Sequence, residues 1–581
     1  MPLSSACLLA LAHAAQTPMT VAAVPTEQLA GRGAEVPFFE YEAENGCFSG
    51  TLTGPSRALS DIAAEASGRR AVRLERASDY VEVTLARDAN AVTVRYAIPD
   101  SADGIGLDST LGVEVGGTRL GTLMLTSRYS WYYGRYPFTN RPADGRPRHY
   151  FDEARLKFSR TLARGTRVRL VADQGAAWTV IDLADFELVP APRARPAGAV
   201  AIVDFGADPT GRRTSYHALR AAIRAARRRR LSVWLGEGIF RIDRHVEVDR
   251  VAIAGAGPWY SVLRGHGVGL YGRKPPHGST AVSLSDFSII GDVRERADHK
   301  QLAGIGGSIG GGSQIRDLWL QHHKVGIWLD GPLDGLEISK LRITDQAADG
   351  INLPGGASNA RIEHSFVRNS GDDGIALWSQ HFANHRISIR NNTIIAPNLA
   401  NGIAVYGGHD IAIGSNVVAD TLNEGGGIHL GNRFKAVPLS GAITLSDNLL
   451  VRSGSFDPNW GFGVGALWFY ALDHPIDAKI RISSTDIVDS TITAIQFIGK
   501  PISHAAFDRL TIRDAHHWLQ VQSGGAAIFS RLIATGLTTS PYLDCDPAFR
   551  ATFDASSAIT RPDDQFCGKL DPGLVADRLA H

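Results

Sequence analysis

The chain is poor in sulfur, with four cysteines and three methionines among 581 residues. No CxxC pair is present, which removes the zinc-ribbon and dithiol-redox classes. Neither charge is in surplus, 60 Lys and Arg against 59 Asp and Glu. That balance argues against nucleic acid or an anionic membrane as a general partner. The one basic cluster, Arg224–Arg230, reads as the C-terminal end of a helix, where cations complement the dipole. No apolar run reaches the length of a membrane span. The nearest is ACLLALAHAA (Ala6–Ala15), which resembles a secretory signal within residues 1–20, with an Ala-His-Ala type cleavage site but without the usual positive start. An extracellular, monomeric protein is expected. The glycine-rich Gly306–Ser313 lacks the lysine and following helix of a phosphate loop. Adjacent His322 and His323 would point to opposite faces of a strand, so they do not form a metal pair.

What the chain has is glycine, 62 of them, together with β-branched residues and asparagine. Short words recur: VGI at Val325–Ile327, DGI at Asp349–Ile351, DGI at Asp373–Ile375, NGI at Asn401–Ile403 and GGI at Gly426–Ile428, at steps of 24, 24, 28 and 25. A period of this length marks stacked repeats, each burying its apolar face against its neighbours. Segments such as ARIEHSFVRNSGDDGIAL are strand-and-turn sequences, so the expected fold is all-β, a right-handed parallel β-helix. Ahead of it, Phe38–Val189 carries many short alternating strands, the pattern of a jelly-roll-like β-sandwich. The expected domains are a sandwich at 38–190, a Pro/Ala-rich linker at 191–199, a β-helix at 200–540 opening with a helix that covers its first rung, and a tail at 541–581. The stretch before Pro37 reads as flexible. Cys545 and Cys567 suit a disulfide in the tail or two thiols; Cys7 would leave with the signal, and Cys47 would stand alone.

Equivalent positions on adjacent rungs lie about 4.8 Å apart. Asp349 and Asp373 are equivalent, and Asp372 adjoins the second. Three carboxylates on one small surface is the constellation glycoside hydrolysis needs, one protonated to protonate the leaving oxygen and one ionised to activate water or attack the sugar. Asp-Gly and Asn-Gly pairs also suit tight corners and side-chain ladders, and Asn401 is read that way. Stacked carboxylates repel, which favours chemistry for the aspartates. We assign Asp349 and Asp373 as the pair holding the water, leaving Asp372 as general acid, although residue types alone leave the roles open. Inversion requires the acid about 6.5–9.5 Å from the base, so the acid should not be a stacked neighbour. His322, Trp328, Trp378, Tyr406, His429 and Trp468 are candidate sugar contacts, because pyranose rings lie on aromatic faces. Asp410, Asp420 and Glu424 are reserve carboxylates. The aromatic run Tyr129–Tyr136 suits either a glycan or packing on the second domain.

The words GAGPWYSVL (Gly255–Leu263), LSDFSIIGDVRER (Leu284–Arg296), LWLQHHKVGIWLDGP (Leu318–Pro332), ADGINL, RNSGDDGIALWS, LANGIAVYGG and GVGALWFYAL together resemble glycoside hydrolase family 87, the α-1,3-glucanases (mutanases) and mycodextranases. The resemblance spans about Val203 to Phe529 and implies endo-acting, inverting hydrolysis of α-1,3-glucan without a catalytic cofactor. The Asp349 and Asp372–Asp373 arrangement is also similar to polygalacturonases, which implies Asp372 as the acid; their uronate-gripping Arg-Ile-Lys word is missing, which points to a neutral glucan. Mycodextranase or polygalacturonase-like activity, a polysaccharide lyase and a non-enzymatic glycan-binding β-helix are the alternatives. The N-terminal segment, from Glu42-Ala43-Glu44 to Ile181–Leu188, resembles a carbohydrate-binding module of family 6 or 35 type, which implies a structural calcium on Glu42, Glu44 and Asp182.

Overall fold

The computed structural model describes residues 24, 26–457, 461–538 and 542–557. The signal-like segment at 1–20, Cys7 and Cys567 lie outside these residues, and with them the Cys545–Cys567 pairing.

Alternating strands fold into two antiparallel sheets. One runs Thr51–Thr53, Ala71–Leu74, Thr179–Glu187, Ala89–Ala97, Asp152–Leu162, with Phe38–Glu42 also paired to Thr179–Glu187; the other runs Cys47–Phe48, Tyr80–Thr84, Arg167–Ala172, Asp108–Val115, Thr118–Thr126. The inward alternates (Val92, Val94, Tyr96, Leu111, Val113, Leu170, Ile181, Phe186) make one apolar core between the sheets. The outward alternates of the first sheet are charged, and they are buried as well: Glu40, Arg95, Glu153, Asp182, Asp185 and Glu187. A strand hidden on both faces with charge on one needs a polar partner on that side, and the partner is the second domain.

That domain is a parallel β-helix running from Val200 to Phe553, its strands pairing in parallel with their counterparts one turn away, except that Ser455–Asp457 and Phe462–Val464 pair antiparallel with each other. Isoleucine, leucine and valine fill its interior, with Ile327, Ile351, Ile375, Ile403 and Ile428 stacked in register. The amphipathic helix Tyr216–Arg229 buries Leu219, Ala222, Ile223 and Ala226 against the first rungs and carries Arg227–Arg229 in its last turn, the cap its sequence indicates. The asparagine content is explained by a ladder at one corner, where Asn416 Oδ1 accepts the backbone N–H of Asn392 at 2.9 Å and Asn448 Oδ1 that of Asn416 at 3.1 Å.

One expectation is corrected. The described part of the stretch before Pro37 is held, not loose. Gly33 N donates to Ser415 O at 2.8 Å, Arg32 pairs with Asp486 at 2.6 Å, and Leu29, Ala34 and Val36 pack on Ile395, Val417 and Leu449 of the β-helix. The sequence looked weakly patterned because this segment pairs with no strand of its own domain and packs instead on rungs far away in sequence.

Candidate active site

Asp349, Asp373, Asn401 and Gly426 each stand two residues ahead of a stacked isoleucine, so they form one column. The three side chains of the column each accept from the backbone of the next turn. Asp349 Oδ1 accepts the N–H of Asp373 (3.1 Å), Asp373 Oδ1 accepts from Asn401 N (2.8 Å) and Nδ2 (2.9 Å), and Asn401 Oδ1 accepts the N–H of Gly426 (2.9 Å). The ladder alternative weighed for Asp-Gly corners is therefore present in this column. An amide would serve that purpose without charge, as it does at Asn401 and along Asn392–Asn416–Asn448. Two buried carboxyls in the same ladder carry an electrostatic cost that capping does not explain.

The cost shows in their proton affinities. Burial, then the nearby Asp372 and Asp373, push the Asp349 carboxyl well above the ordinary range. Burial, then Asp372, push Asp373 to about 7, against the opposing hydrogen bonds from Asn401 and Tyr406. Tyr406 Oη donates to Asp373 Oδ2 at 3.0 Å, and Asn352 Nδ2 donates to Asp349 Oδ2 at 2.7 Å. Asp372 lies outside the ladder. Its side chain is 23% exposed, and it is paired with the guanidinium of Arg296. The three aspartates present oxygens within 4.8 Å of one another. The wide spacing expected of the acid is corrected: the single-residue step from Asp373 to Asp372 keeps the third carboxylate close to the other two.

The candidate sugar contacts divide by column. Trp328 stacks over Asn352, Ala376, Ala404, His429 and Trp468, and Trp378 pairs in register with Tyr406 in the neighbouring column. Trp328 and Trp378 are half-buried, with indole N–H groups on Asp330 Oδ1 (3.1 Å) and Phe434 O (3.3 Å). Tyr406 reaches the aspartates directly. His429 and Trp468 are buried, their rings 4.3 Å apart, and they lie under Arg433, whose guanidinium is 5.4 Å from the Trp468 ring.

His322 is placed elsewhere. Its Nε2 meets Asp152 Oδ1 of the sandwich at 2.7 Å, and its ring stacks on Tyr129 at 3.7 Å. It is an interdomain contact, and Asp152, His322 and Asp345 form a second close group. There each oxygen of Asp345 accepts from an amide, Oδ1 from Asn369 (2.8 Å) and Oδ2 from Gln321 (2.9 Å). Two of the reserve carboxylates are also occupied: Asp420 is buried beneath Arg452 and the sandwich's Arg69, and Asp410 bonds His409 near the surface. The aromatic run of the sandwich packs on the β-helix. Tyr129 Oη donates to Asp292 (2.9 Å), Tyr136 Oη to Asp298 (2.6 Å), and Tyr132 packs with Val293 and Ala347.

Sequence reading missed Arg296, Lys324, Asn352 and Phe434. Arg296 sits inside the word LSDFSIIGDVRER, but it is 76 residues from Asp372 and off the repeat. Phe434 is half-exposed at φ +57°, set edge-on to Tyr406 at 5.1 Å and covered by Arg433 at 4.1 Å. A bulky aromatic held in the left-handed region costs roughly 1–3 kcal/mol, and such strain clusters at functional sites.

For the calcium set, Asp182 is already committed to Arg95 and to the Ser67 N–H (2.9 Å). Glu42 Oε2 and Glu44 Oε2 are buried with no hydrogen-bond partner among the described residues. Burial raises both groups, Glu44 to about 8. Oxygens of this kind fit a hard cation, but the donor set contracts to Glu42 and Glu44.

Residues 35–189 match the family model described as alpha-1,3-glucanase catalytic domain D1, and residues 212–438 match catalytic domain D2. The catalytic unit of a thermostable GH87 alpha-1,3-glucanase from Streptomyces thermodiastaticus strain HF3-3 is 38% identical, over 90% of this chain and 97% of its own, with a TM-score of 0.83. The Agl-KA catalytic domain is 26% identical, over 92% of this chain and 100% of its own, with a TM-score of 0.84. A GH87 alpha-1,3-glucanase catalytic domain in complex with nigerose shares the fold at 22% identity and a TM-score of 0.80, over 90% of this chain and 100% of its own. No curated protein sequence matches. The sandwich expected to be a separate carbohydrate-binding module thus falls under a model of the catalytic unit itself.

Proposed function

The chain belongs to glycoside hydrolase family 87, the α-1,3-glucanases, and from that membership we propose that it cleaves α-1,3-linked glucan internally, with inversion, using Asp349, Asp372 and Asp373. The observation that carries hydrolysis by this set is the convergence of the three carboxylates within 4.8 Å on one face of the β-helix; inversion rests on the family membership, since the spacing is shorter than the one that leaves room for a water between acid and base. Asp372, the member open to solvent, is the general acid that protonates the glycosidic oxygen. Asp349 and Asp373 together hold the attacking water, which the ionised member of the pair deprotonates. With the carboxylates this close, the water must lie beside the ladder pair, not between it and Asp372. Bringing the acid, the water and the sugar together in one geometry supplies much of the rate.

Product analysis on insoluble α-1,3-glucan, nigeran and polygalacturonate in parallel tests the reading. Short nigero-oligosaccharides from the first, with newly released reducing ends in the β configuration by NMR, are expected. Release from nigeran alone would move the substrate to alternating α-1,3/α-1,4 glucan, and α-configured ends would refute inversion. An unsaturated product absorbing in the ultraviolet would mark a lyase.

Phe434 and Trp378 form the aromatic platform for a glucosyl unit next to Tyr406. Phe434→Ala is expected to raise KM for nigero-oligosaccharides about tenfold, the value of roughly 1–1.5 kcal/mol of aromatic contact, with kcat changed less than threefold and Phe434→Trp close to the parent. An unchanged KM would remove Phe434 from the groove. Glu42 and Glu44 are the residues that would hold a structural calcium, whose charge would replace the protons they otherwise retain. The sandwich serves as a wall of the catalytic unit, and the protein acts outside the cell.

A further inference from the structure

We propose that Arg296 is a positioning residue for Asp372, holding its carboxyl toward the groove through its charge and its hydrogen-bonding fork, and that the β-sandwich holds Arg296 in place. The proposal rests on the reading of Asp372 as the acid.

Arg296 lies on the irregular excursion between the strands Ser283–Ile290 and Ala303–Gly306, so no register of the β-helix fixes it. All three nitrogens of its planar fork are nevertheless engaged. One terminal nitrogen pairs with Asp372 Oδ2, the other donates to Gly371 O at 3.2 Å, and Nε donates to Asp298 Oδ1 at 3.0 Å. The side chain is 5% exposed. Burial alone would lower the guanidinium's proton affinity, but the charges of Asp372 and Asp298 outweigh it and raise the affinity further. A guanidinium shared this way fixes the carboxyl's direction as well as its charge.

The sandwich supplies the clamp. The Tyr136 and Phe138 rings face the guanidinium at 5.5 and 5.8 Å, and Tyr136 Oη donates to the second oxygen of the same Asp298 at 2.6 Å. The excursion is further tied by Tyr129 Oη on Asp292 (2.9 Å) and Asn140 Nδ2 on Arg294 O (3.0 Å). Lys324 Nζ, from the β-helix, bonds Asp298 O at 2.9 Å. Asp298 is pulled down by Arg296 and Tyr136 despite partial burial, so it stays charged and keeps Arg296 oriented.

The groups that face Asp372 are then Asp349 and Asp373 on one side and Arg296 on the other, with Asp298, Lys324 and Tyr136 behind Arg296 and Tyr406 behind Asp373. The two ladder aspartates repel a charge on Asp372, and Arg296 attracts it. Removing Arg296 takes away the attraction and leaves the repulsion.

The test is the pH dependence of kcat/KM for nigero-oligosaccharides with Arg296→Gln, Arg296→Lys and Tyr136→Phe, each checked for folding by thermal melting. Arg296→Gln is expected to move the alkaline limb up by about one pH unit or more, the size of an opposite charge lost within a few ångströms, and to lower the maximal rate. Arg296→Lys should keep the limb near the parent's while still losing rate, because the charge remains and the fork does not. Tyr136→Phe should move the limb in the same direction by less. Lower activity with both limbs in place would mean that Arg296 only braces the loop, and would overturn the proposal. Movement of the acidic limb alone would refute Asp372 as the acid, and with it the premise, while leaving α-1,3-glucan hydrolysis intact.

Discussion

Asparagine in place of Asp349 is expected to lower glucan turnover by about 10³-fold or more while leaving the protein at least as stable as the parent at neutral pH. The activity loss follows from removing one of the groups that handle the water's proton, each contributing about 10²–10⁴. The stability result follows from the ladder. Asp349 Oδ1 accepts the Asp373 N–H, and an amide oxygen can accept the same bond. At the other oxygen the new NH₂ would face the Asn352 amide donor, but Asn352 Oδ1 is buried with no partner among the described residues, so a flip of Asn352 satisfies both groups. The substitution therefore conserves the hydrogen bonds and replaces a carboxyl that folding forces to keep its proton, beside Asp372 and Asp373, with a group that does not ionise. The sign with pH is fixed. The Asp349 carboxyl is raised in the folded state, so the folded chain holds a proton the unfolded chain has released, and stability falls as pH rises above the unfolded value near 3.9. Asparagine lacks that dependence. Its melting temperature should exceed the parent's at pH 7–8 and converge on it toward pH 4. A variant that melts clearly lower at pH 7 would show that the carboxylate is part of the ladder's strength and not a cost carried for chemistry.

The repeat made the β-helix legible, because a period of 24–28 residues with isoleucine at a fixed place admits few other folds. It also located the aspartates, since residues equivalent in the repeat are neighbours in space. Period could say nothing of residues off the repeat. Arg296 comes from an excursion between strands, Phe434 from a bend after Ile428–Asn432, and both reach the site by tertiary packing alone. His322 went wrong for the opposite reason. It is next to a repeated word, but its backbone turns to φ +59° at the strand's end and sends the ring to the sandwich. The sandwich's own role was hidden for a related reason. Period-2 alternation predicts a face toward solvent when alternate residues are charged, and Glu40, Arg95, Glu153, Asp182 and Asp185 fit that pattern while lying in an interface. Charged residues on a strand are ambiguous until the partner surface is known, and the opposite charges, Arg342 and Arg368, are about 150–330 residues away in sequence.

Those opposite charges make the second large effect. Arg368 is fully buried and binds carboxylates from three sandwich strands, Glu153 at 2.6 Å, Asp185 at 2.7 Å and Glu40 at 3.0 Å. Arg342 adds a second cation, 3.0 Å from Asp185. Glu40 is raised well above its ordinary range by burial and by Asp185, and so holds a proton, whereas Arg368 and Arg342 outweigh burial at Glu153 and lower it. Methionine at Arg368 would leave Glu153 and Asp185 sharing Arg342 in a dry interface. Breaking a buried pair from one side costs about 3–5 kcal/mol; at about 2 cal/mol/K of unfolding entropy per residue, that is a fall of about 3–4 °C in a chain of this size. The larger effect should be local. With the clamp gone, the two domains separate more readily and the exposed segment 191–198 becomes the first site of proteolysis, so cleavage there should rise by well over tenfold. Activity should fall with it, because Tyr136 would no longer hold Asp298 and Arg296 in register with Asp372. Adding Glu153→Gln and Asp185→Asn to Arg368→Met removes the stranded charges, and it should recover much of the stability without restoring the orientation of the acid. If Arg368→Met instead melts and digests like the parent, the interface is held by its apolar contacts and the buried charges contribute nothing net.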